Sequence, residues 1–486
     1  MTNVPVGARR LIPFAIAVAL FMENLDSTII NTAVPAIARS LGTTPLNLSM
    51  AVSVYLLSLA IFIPMSGWMA DRFGARTVFA GAIAMFTVSS ALCGASQSLA
   101  MLVGARALQG IGGAMMMPVG RLILGRNFAK SELVATMSYV TIPALIGPML
   151  GPLIGGAITT YTSWRWIFYI NMPIGVIGIW FALRVIPNSR EPDVRPPDII
   201  GFILVGLGLA GVVMGIENIG RGVLPEGAEG ALLFLAAISF FLYWRHARRV
   251  SAPALDLRLL RIPTFRASIL GGGISRIGFG ATPFLLPLLF QIGFGRSPLE
   301  SGALTFTGAI GAMTMKMGAS RVVRRFGFRR LLIGNAVVVG VLGMAFAFFT
   351  PSTPSLIIIG VLTLTGFFRT LQFTCMSALT YADLESSRMS NGTSIASVAQ
   401  QISMSLGVAV GATVLHLATQ MTGTASPGPA AFMPTLLIVG MIPITAIFVF
   451  AQLAPTAGEE MSGHRRIAVA EAVENLGEPP HFGTTN

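Results

Sequence analysis

Residues 48–97 read LSMAVSVYLLSLAIFIPMSGWMADRFGARTVFAGAIAMFTVSSALCGASQ: two apolar runs, 48–70 and 77–97, joined by the short polar turn Asp71-Arg72-Phe73-Gly74-Ala75-Arg76. A hydrocarbon core about 30 Å thick takes about 20 helical residues per crossing, and each run has that length. Runs of the same kind recur at 11–33, 100–124, 137–160, 165–186, 199–217, 230–244, 265–291, 300–319, 330–350, 355–380, 393–421 and 431–453. The sequence therefore predicts an all-α integral membrane protein with fourteen transmembrane helices. An even number of crossings puts both termini on one side.

Composition agrees. Of 486 residues, 54% are hydrophobic and only 10% charged, too few charges to cover a soluble protein of this size. The net charge of +13 would suggest a nucleic-acid partner in a soluble chain. Its placement argues otherwise. With the N-terminus in the cytoplasm, Arg39, Arg165, Arg221 and Arg296 fall outside, and Arg106, Arg276 and Arg369 fall at membrane depth. The other basic residues, including Arg72/Arg76, Arg126/Lys130, Arg245–Arg249, Arg258–Arg266 and Arg321–Arg330, fall inside. This positive-inside bias predicts a multi-pass protein of the cell (inner) membrane, both termini cytoplasmic, touching anionic lipid rather than nucleic acid. Arg9/Arg10 and the apolar run after them superficially fit a signal peptide, but Glu23 and Asp26 have no use in one. Cys93 and Cys375 lie far apart in apolar runs, which predicts inert buried thiols, no disulfide framework and no metal site.

The polar turn repeats. Arg325-Phe326-Gly327-Phe328-Arg329 follows the tenth run as Arg72-Phe73-Gly74-Ala75-Arg76 follows the second. Two six-helix halves are expected, residues 1–190 and 263–454, with residues 191–262 supplying a linker and two inserted helices, and a flexible cytoplasmic tail over 455–486. Repeated halves around a midplane site are what alternating access requires.

Ionisable groups at membrane depth cost roughly 2.5–3.5 kcal/mol each, so each is a functional candidate. Among the acids only Glu23 and Asp26 sit clearly inside a run, three apart on one helix face. Burial disfavours a charged carboxyl and a nearby cation favours it, so acids placed there suit proton exchange. Arg106, in a glycine-rich fourth run, is the expected counter-charge, with Arg276 and Arg369 as the membrane-depth charges of the second half. Gly271-Gly272-Gly273, Pro283 and Pro287 suggest a broken or bent ninth helix. In the fifth run Gly147, Pro148, Gly151, Pro152, Gly155 and Gly156 combine close-approach glycines with helix-bending prolines, the mark of a shaped, gating helix. Trp164, Trp166 and Trp244 read as interfacial anchors.

At these residues the chain resembles the major facilitator superfamily, and within it the fourteen-span drug:proton antiporters of the EmrB/QacA type, in particular their MdtD-like members. Gly67-Trp68-Met69-Ala70-Asp71-Arg72-Phe73-Gly74-Ala75-Arg76 is similar to the superfamily's loop signature, with Met69, Ala75 and Arg76 as departures. The resemblance implies that Gly67, Asp71, Arg72, Gly74 and Arg76 control the conformational switch; the second copy has Arg324 in place of Asp71. Leu25-Asp26-Ser27-Thr28 resembles the group's first-span signature, whose aspartate serves proton coupling, and Arg106 matches its fourth-span arginine. Gly147, Gly151, Pro152, Gly155 and Gly156 match the antiporter signature at every defined position, and Ser163–Gly175 resembles the group's span 5–6 junction. The expected function is proton-coupled export of small, multidrug or amphipathic molecules by a monomer that needs no cofactor. The alternatives are a dedicated exporter of a metabolite or metal chelate, and proton-coupled uptake. An enzyme is not expected: no H-E-x-x-H, P-loop or G-x-S-x-G is present, and of His246, His416, His464 and His481 only His416 lies in a run.

Overall fold

The computed structural model describes residues 6–128, 130–191, 194, 196–221, 225, 227–385, 388–424 and 426–462. Long unbroken apolar runs with few charges form helices, and fourteen long ones follow in chain order. They are α1 (Val6–Ser40), α2 (Ser49–Phe73), α3 (Ala75–Gly94), α4 (Leu99–Asn127), α5 (Lys130–Tyr161), α6 (Trp166–Val185) and α7 (Ile199–Asn218). After them come α8 (Ala228–Ala247), α9 (Pro263–Gly293), α10 (Pro298–Phe326), α11 (Phe328–Phe348), α12 (Ser355–Tyr381), α13 (Met389–Met421) and α14 (Pro429–Phe450). Thirteen are long and apolar enough to cross a membrane. The other, α10, has the length at 29 residues but carries Lys316, Arg321, Arg324 and Arg325 toward one end. No strand occurs among the described residues.

The outside of the bundle is apolar. Val88, Val176, Phe234, Ile310, Val341 and Phe448 all point outward, as a protein solvated by lipid tails requires. Helices α1–α6 pack mainly on one another, as do α9–α14, and the two groups meet along α2 against α13 and α5 against α10. The hairpin α7–α8 lies outside both groups, with α7 on α2 and α13 and α8 on α7. Positive-φ glycines make the tight turns: Gly74 (φ 96°) between α2 and α3, and Gly327 (φ 72°) at the equivalent turn between α10 and α11.

Two expectations need correction. The ninth helix is unbroken: Gly271–Gly273 are helical and buried, α-helix continues through Pro283 and Pro287 to Leu288, and only Leu289–Gly293 turns to π-helix. Trp164 is not an interfacial anchor but is 5% exposed, edge-on to Phe168 and stacked under Arg165. Trp166 and Trp244 are exposed, as anchors should be. Cys93 and Cys375 are free and buried. Of the tail expected to be flexible over 455–486, residues 455–462 are described and end in a helical turn, Glu459–Ser462, and the rest lies outside the described residues.

Candidate functional site

A cavity of about 1480 Å³ runs from mid-bundle to the end bearing the Asp71–Arg76 turn, the arginine-rich end. Both helix groups line it: Glu23, Tyr55 and Met117 on one wall, Arg276, Arg369 and Gln400 on the other. Asp71, Arg126, Glu191 and Asp198 ring its mouth.

The two acids of α1 part company. Glu23 faces the cavity, 8% exposed, with Oε2 buried and unpartnered and no cation within ion-pair distance among the described residues. Asp26 is fully buried behind it. Its Oδ2 accepts from Arg106 Nη1 at 2.5 Å, and its Oδ1 from Asn171 Nδ2 at 2.8 Å and Gln109 Nε2 at 3.0 Å. Arg106 also donates to Gln109 Oε1 at 2.7 Å and the Ala51 carbonyl at 3.3 Å, and lies 4.0 Å from the Tyr55 ring centre. Asn171 continues to Ser90 Oγ at 3.0 Å, and Ser90 to the Phe168 carbonyl at 2.9 Å. Asp26 thus sits in a cage built by α1, α2, α3, α4 and α6. A buried carboxylate needs a partner cation and donors for its remaining lone pairs, and this cage supplies both. The expectation that Arg106 faces both acids holds for Asp26 alone.

Arg276 (4% exposed) and Arg369 face the cavity without an acidic partner among the described residues. Arg276 stands 5.5 Å from the Phe373 ring centre, and its Nε is unpartnered. Arg121, which the sequence reading placed on the cytoplasmic side, also lines the cavity.

At the mouth, the loop signature docks on the linker after α6. Arg126 Nη2 pairs with Asp71 at 2.7 Å and Glu191 at 2.8 Å, and the Glu191 amide donates to the Asp71 carbonyl at 3.1 Å. An added Cβ on Gly74 would strike the Asn188 amide, so that turn needs glycine. Arg72 and Arg76 form no ion pair among the described residues, and Gly67 has open space where a Cβ would stand.

At the opposite end the two groups close on one another where Gly156 of α5 and Gly302 of α10 pack, while the other α5 glycines pack on α1. Gly147, Gly151 and Gly155 form a stripe against the α1 backbone: a Cβ on Gly147 would lie 2.9 Å from Leu25 N and Phe21 O, and one on Gly155 2.6 Å from Thr32 Oγ1. Gly156 turns the other way, onto Pro298 and Leu299 at the start of α10, while Gly302 of α10 packs on Pro152. With no side chain between them, the two groups meet backbone to backbone. The Thr160 hydroxyl accepts from Leu299 N at 3.1 Å, and Gln291 Nε2 donates to the Thr32 carbonyl at 2.9 Å, both across that boundary.

These features, with two helix groups, a charged midplane cavity open at one end and a glycine seal at the other, are those of an alternating-access carrier. A family model described as Major Facilitator Superfamily matches residues 16–408. The chain belongs to the major facilitator superfamily. It is a transporter and not an enzyme. It is 37% identical over 476 residues to "Putative multidrug resistance protein MdtD" of Salmonella heidelberg, covering 96% of this chain and 99% of that one. The Escherichia fergusonii protein of the same name is 36% identical over 469 residues, with 96% and 99% coverage. Among solved structures the fold is similar to a bacterial homologue of the human lysosomal transporter Spinster in an inward-facing, unoccupied conformation. There the TM-score is 0.65 at 14% identity, over 94% of this chain and 98% of that one. A D-xylose–proton symporter gives TM-score 0.65 at 14% identity, over 92% and 98%.

Sequence reading missed Gln109, Asn171 and Tyr55, which complete the Asp26 cage, and the buried Glu217 near the end of α7. Each is a polar side chain within an apolar run, and that was the available signal. Glu217 was passed over because it stands at the edge of its run.

Proposed function

We propose that this chain is a proton-driven exporter of small amphipathic molecules in the cell's inner membrane, working as a monomer with its arginine-rich end and both termini in the cytoplasm. The cavity is then open to the cytoplasm and the α5–α10 glycine contact faces outward. Residues 1–190 and 263–454 rock as two halves about the hairpin in 191–262. The observation that carries the reading is the split of the two α1 acids. Glu23 meets the cavity with no cation within ion-pair distance among the described residues, so it takes up and releases a proton without breaking an ion pair. Asp26 is locked to Arg106 and serves as the fixed charge that shapes the site. A proton and a cargo that both need the wall at Glu23 exclude one another, and that exclusion makes exchange obligatory. The driving force is sufficient: each tenfold proton gradient is worth about 1.4 kcal/mol, and each charge crossing 100 mV about 2.3 kcal/mol. The signature residue Asp71 and its partner Arg126 hold the mouth open to the cytoplasm, and the lipid-facing apolar belt anchors the bundle.

One observation favours a second reading, export of an anionic metabolite or metal chelate: Arg276 and Arg369 stand on the cavity wall with no acidic partner among the described residues. Everted membrane vesicles separate the two. With an acid lumen, accumulation of an amphipathic cation that a protonophore abolishes supports drug export; accumulation confined to anions supports the second reading. If no compound responds to the gradient, proton-driven export is wrong.

A further inference from the structure

The inserted hairpin carries a buried carboxylate outside the cage and the cavity. Glu217, 1% exposed, lies near the end of α7 at the closed end of the bundle. Its Oε1 contacts the hydroxyls of Ser49 and, at 3.4 Å, Ser53, both on α2. Ser49 Oγ also lies 2.7 Å from the Leu46 carbonyl and accepts from Arg221 Nη2 at 3.1 Å. A hydroxyl has one hydrogen. Ser49 therefore cannot donate to Glu217 and to Leu46 together. If Glu217 is ionised, the serine hydrogen goes to the carboxylate and the Leu46 contact has none. If Glu217 is a neutral acid, its own O–H donates to Ser49, Ser49 donates to Leu46, and every close oxygen pair holds a hydrogen. The Leu46 carbonyl keeps Arg221 and the Ser49 amide as donors in either case, but each close oxygen–oxygen contact of Ser49 is bridged by a hydrogen only with the proton present.

Arg221 does not substitute for that proton. It stands 3.9 Å from Glu217, and its donors go to the Leu46 carbonyl at 3.1 Å and to Ser49. Arg106, by contrast, holds Asp26 at 2.5 Å. The cluster also sits at a joint. On its other side α7 and the turn after it are tied to α13 by hydrogen bonds: Thr413 Oγ1 donates to the Ile216 carbonyl at 2.9 Å, and His416 and Gln420 meet the Gly220 carbonyl at 2.9 and 3.2 Å. Ser405 of α13 donates to the Ser53 carbonyl of α2 at 2.9 Å. One titratable oxygen thus stands where the first half, the hairpin and the second half meet. Among the described residues the other ionisable groups near it are Arg221 in the loop after α7, His416 on α13 and Glu229 at the start of α8; α2 presents only hydroxyls.

We propose that Glu217 is a second proton-binding site, an outer latch that takes a proton from the external side and thereby favours closure between α2 and α13. This rests on the reading of the chain as an alternating-access carrier with its arginine-rich end inside. The proton does not cross the membrane here; when the outer end opens, Glu217 meets water and returns it outward. External acid then drives the unloaded carrier toward the inward-open form, the direction that proton-driven export requires.

The test uses spin labels on Thr44→Cys and Thr424→Cys, exposed positions in the outer loops after α1 and α13, with the two native thiols buried. Distances are measured in lipid nanodiscs from pH 8 to pH 5. Wild type should lose its long-distance, outward-open population as pH falls, by up to about tenfold per pH unit, the limit for one coupled proton. Glu217→Gln, whose amide donates to Ser49 as the acid would, should stay closed at every pH. Ser49→Ala keeps the carboxylate but removes the relay and should flatten the response. His416→Gln should leave it intact. Opening on acidification, no pH response in wild type, an undiminished response in Glu217→Gln, or a response lost in His416→Gln would each overturn the latch. None of these depends on cargo movement, so failure of the export reading shows separately, in the vesicle assay.

Discussion

Replacing Arg106 by Gln should be among the most damaging single changes in the protein, and changing Asp26 to Asn at the same time should undo part of the damage. Arg106 is fully buried and supplies Asp26 with a cation at 2.5 Å. Its loss leaves Asp26 with the Gln109 and Asn171 amides but no compensating charge. Removing one partner of a buried ion pair costs about 3–5 kcal/mol, much of it the uncompensated charge left behind. Asp26→Asn alone strands the guanidinium, whose remaining partners are Gln109, the Ala51 carbonyl and the Tyr55 ring, and should cost a similar amount. The double variant strands neither charge, so its cost should fall short of the sum by about 2 kcal/mol or more. Thermal unfolding of the four proteins in detergent, read by intrinsic fluorescence with its midpoints referred to one temperature, gives the cycle. Additive costs would refute the cage as an electrostatic unit and reduce Arg106 to a packing residue.

Three further outcomes follow from other parts of the molecule. Gly155→Ala places a methyl against Thr32 and the Ile29 carbonyl; over-packing of this kind costs about 1–3 kcal/mol, and gradient-driven accumulation in everted vesicles should fall while the protein still reaches the membrane. At the mouth, Asp198 caps α7 through Gly201 N at 2.8 Å and meets His246 Nε2 at 2.6 Å and Ala254 N at 3.0 Å. Burial opposes its charge, but these donors prevail and hold its carboxyl below the ordinary 3.8. A lowered value stabilises the fold above the ordinary pKa and loses that contribution as pH falls through the lowered one. Asp198→Ala should therefore cost about 1 kcal/mol at neutral pH, the usual worth of a cap, and the difference from wild type should vanish in strong acid. Arg276→Gln combined with Arg369→Gln should weaken transport of anionic compounds tenfold or more, since hydrogen bonds to charged groups are worth about 1.5–3 kcal/mol. Transport of cations should change little in the same vesicles.

Much of this was legible in the sequence for a simple physical reason. Lipid requires apolar runs of fixed length, so fourteen helices could be counted from hydropathy, α10 included despite its charged end. The glycines of α5 were legible as close-approach positions because only a missing side chain lets backbones touch; which backbones they touch, α1 for three and α10 for Gly156, depends on tertiary packing. Asp26 and Arg106 could be paired on charge alone. That Glu23, three residues away, would face the cavity instead could not, because a helix face is wide enough to serve two environments. Trp164 was misread because an aromatic near a span end looks alike whether it meets headgroups or the Phe168 ring. Prolines at 283 and 287 suggest a break because each removes a helical donor, yet the helix runs through both to Leu288 before the π turn at Leu289–Gly293.

Proton release from purified protein on adding a transported compound tests the central claim most directly. In lightly buffered detergent solution containing a pH indicator, wild type should acidify the medium on binding cargo, Glu23→Gln should release nothing, and a folded Asp26→Asn should still release protons. Release undiminished in Glu23→Gln but absent in Asp26→Asn would place the exchangeable proton inside the cage, contradicting the division of labour between the two acids.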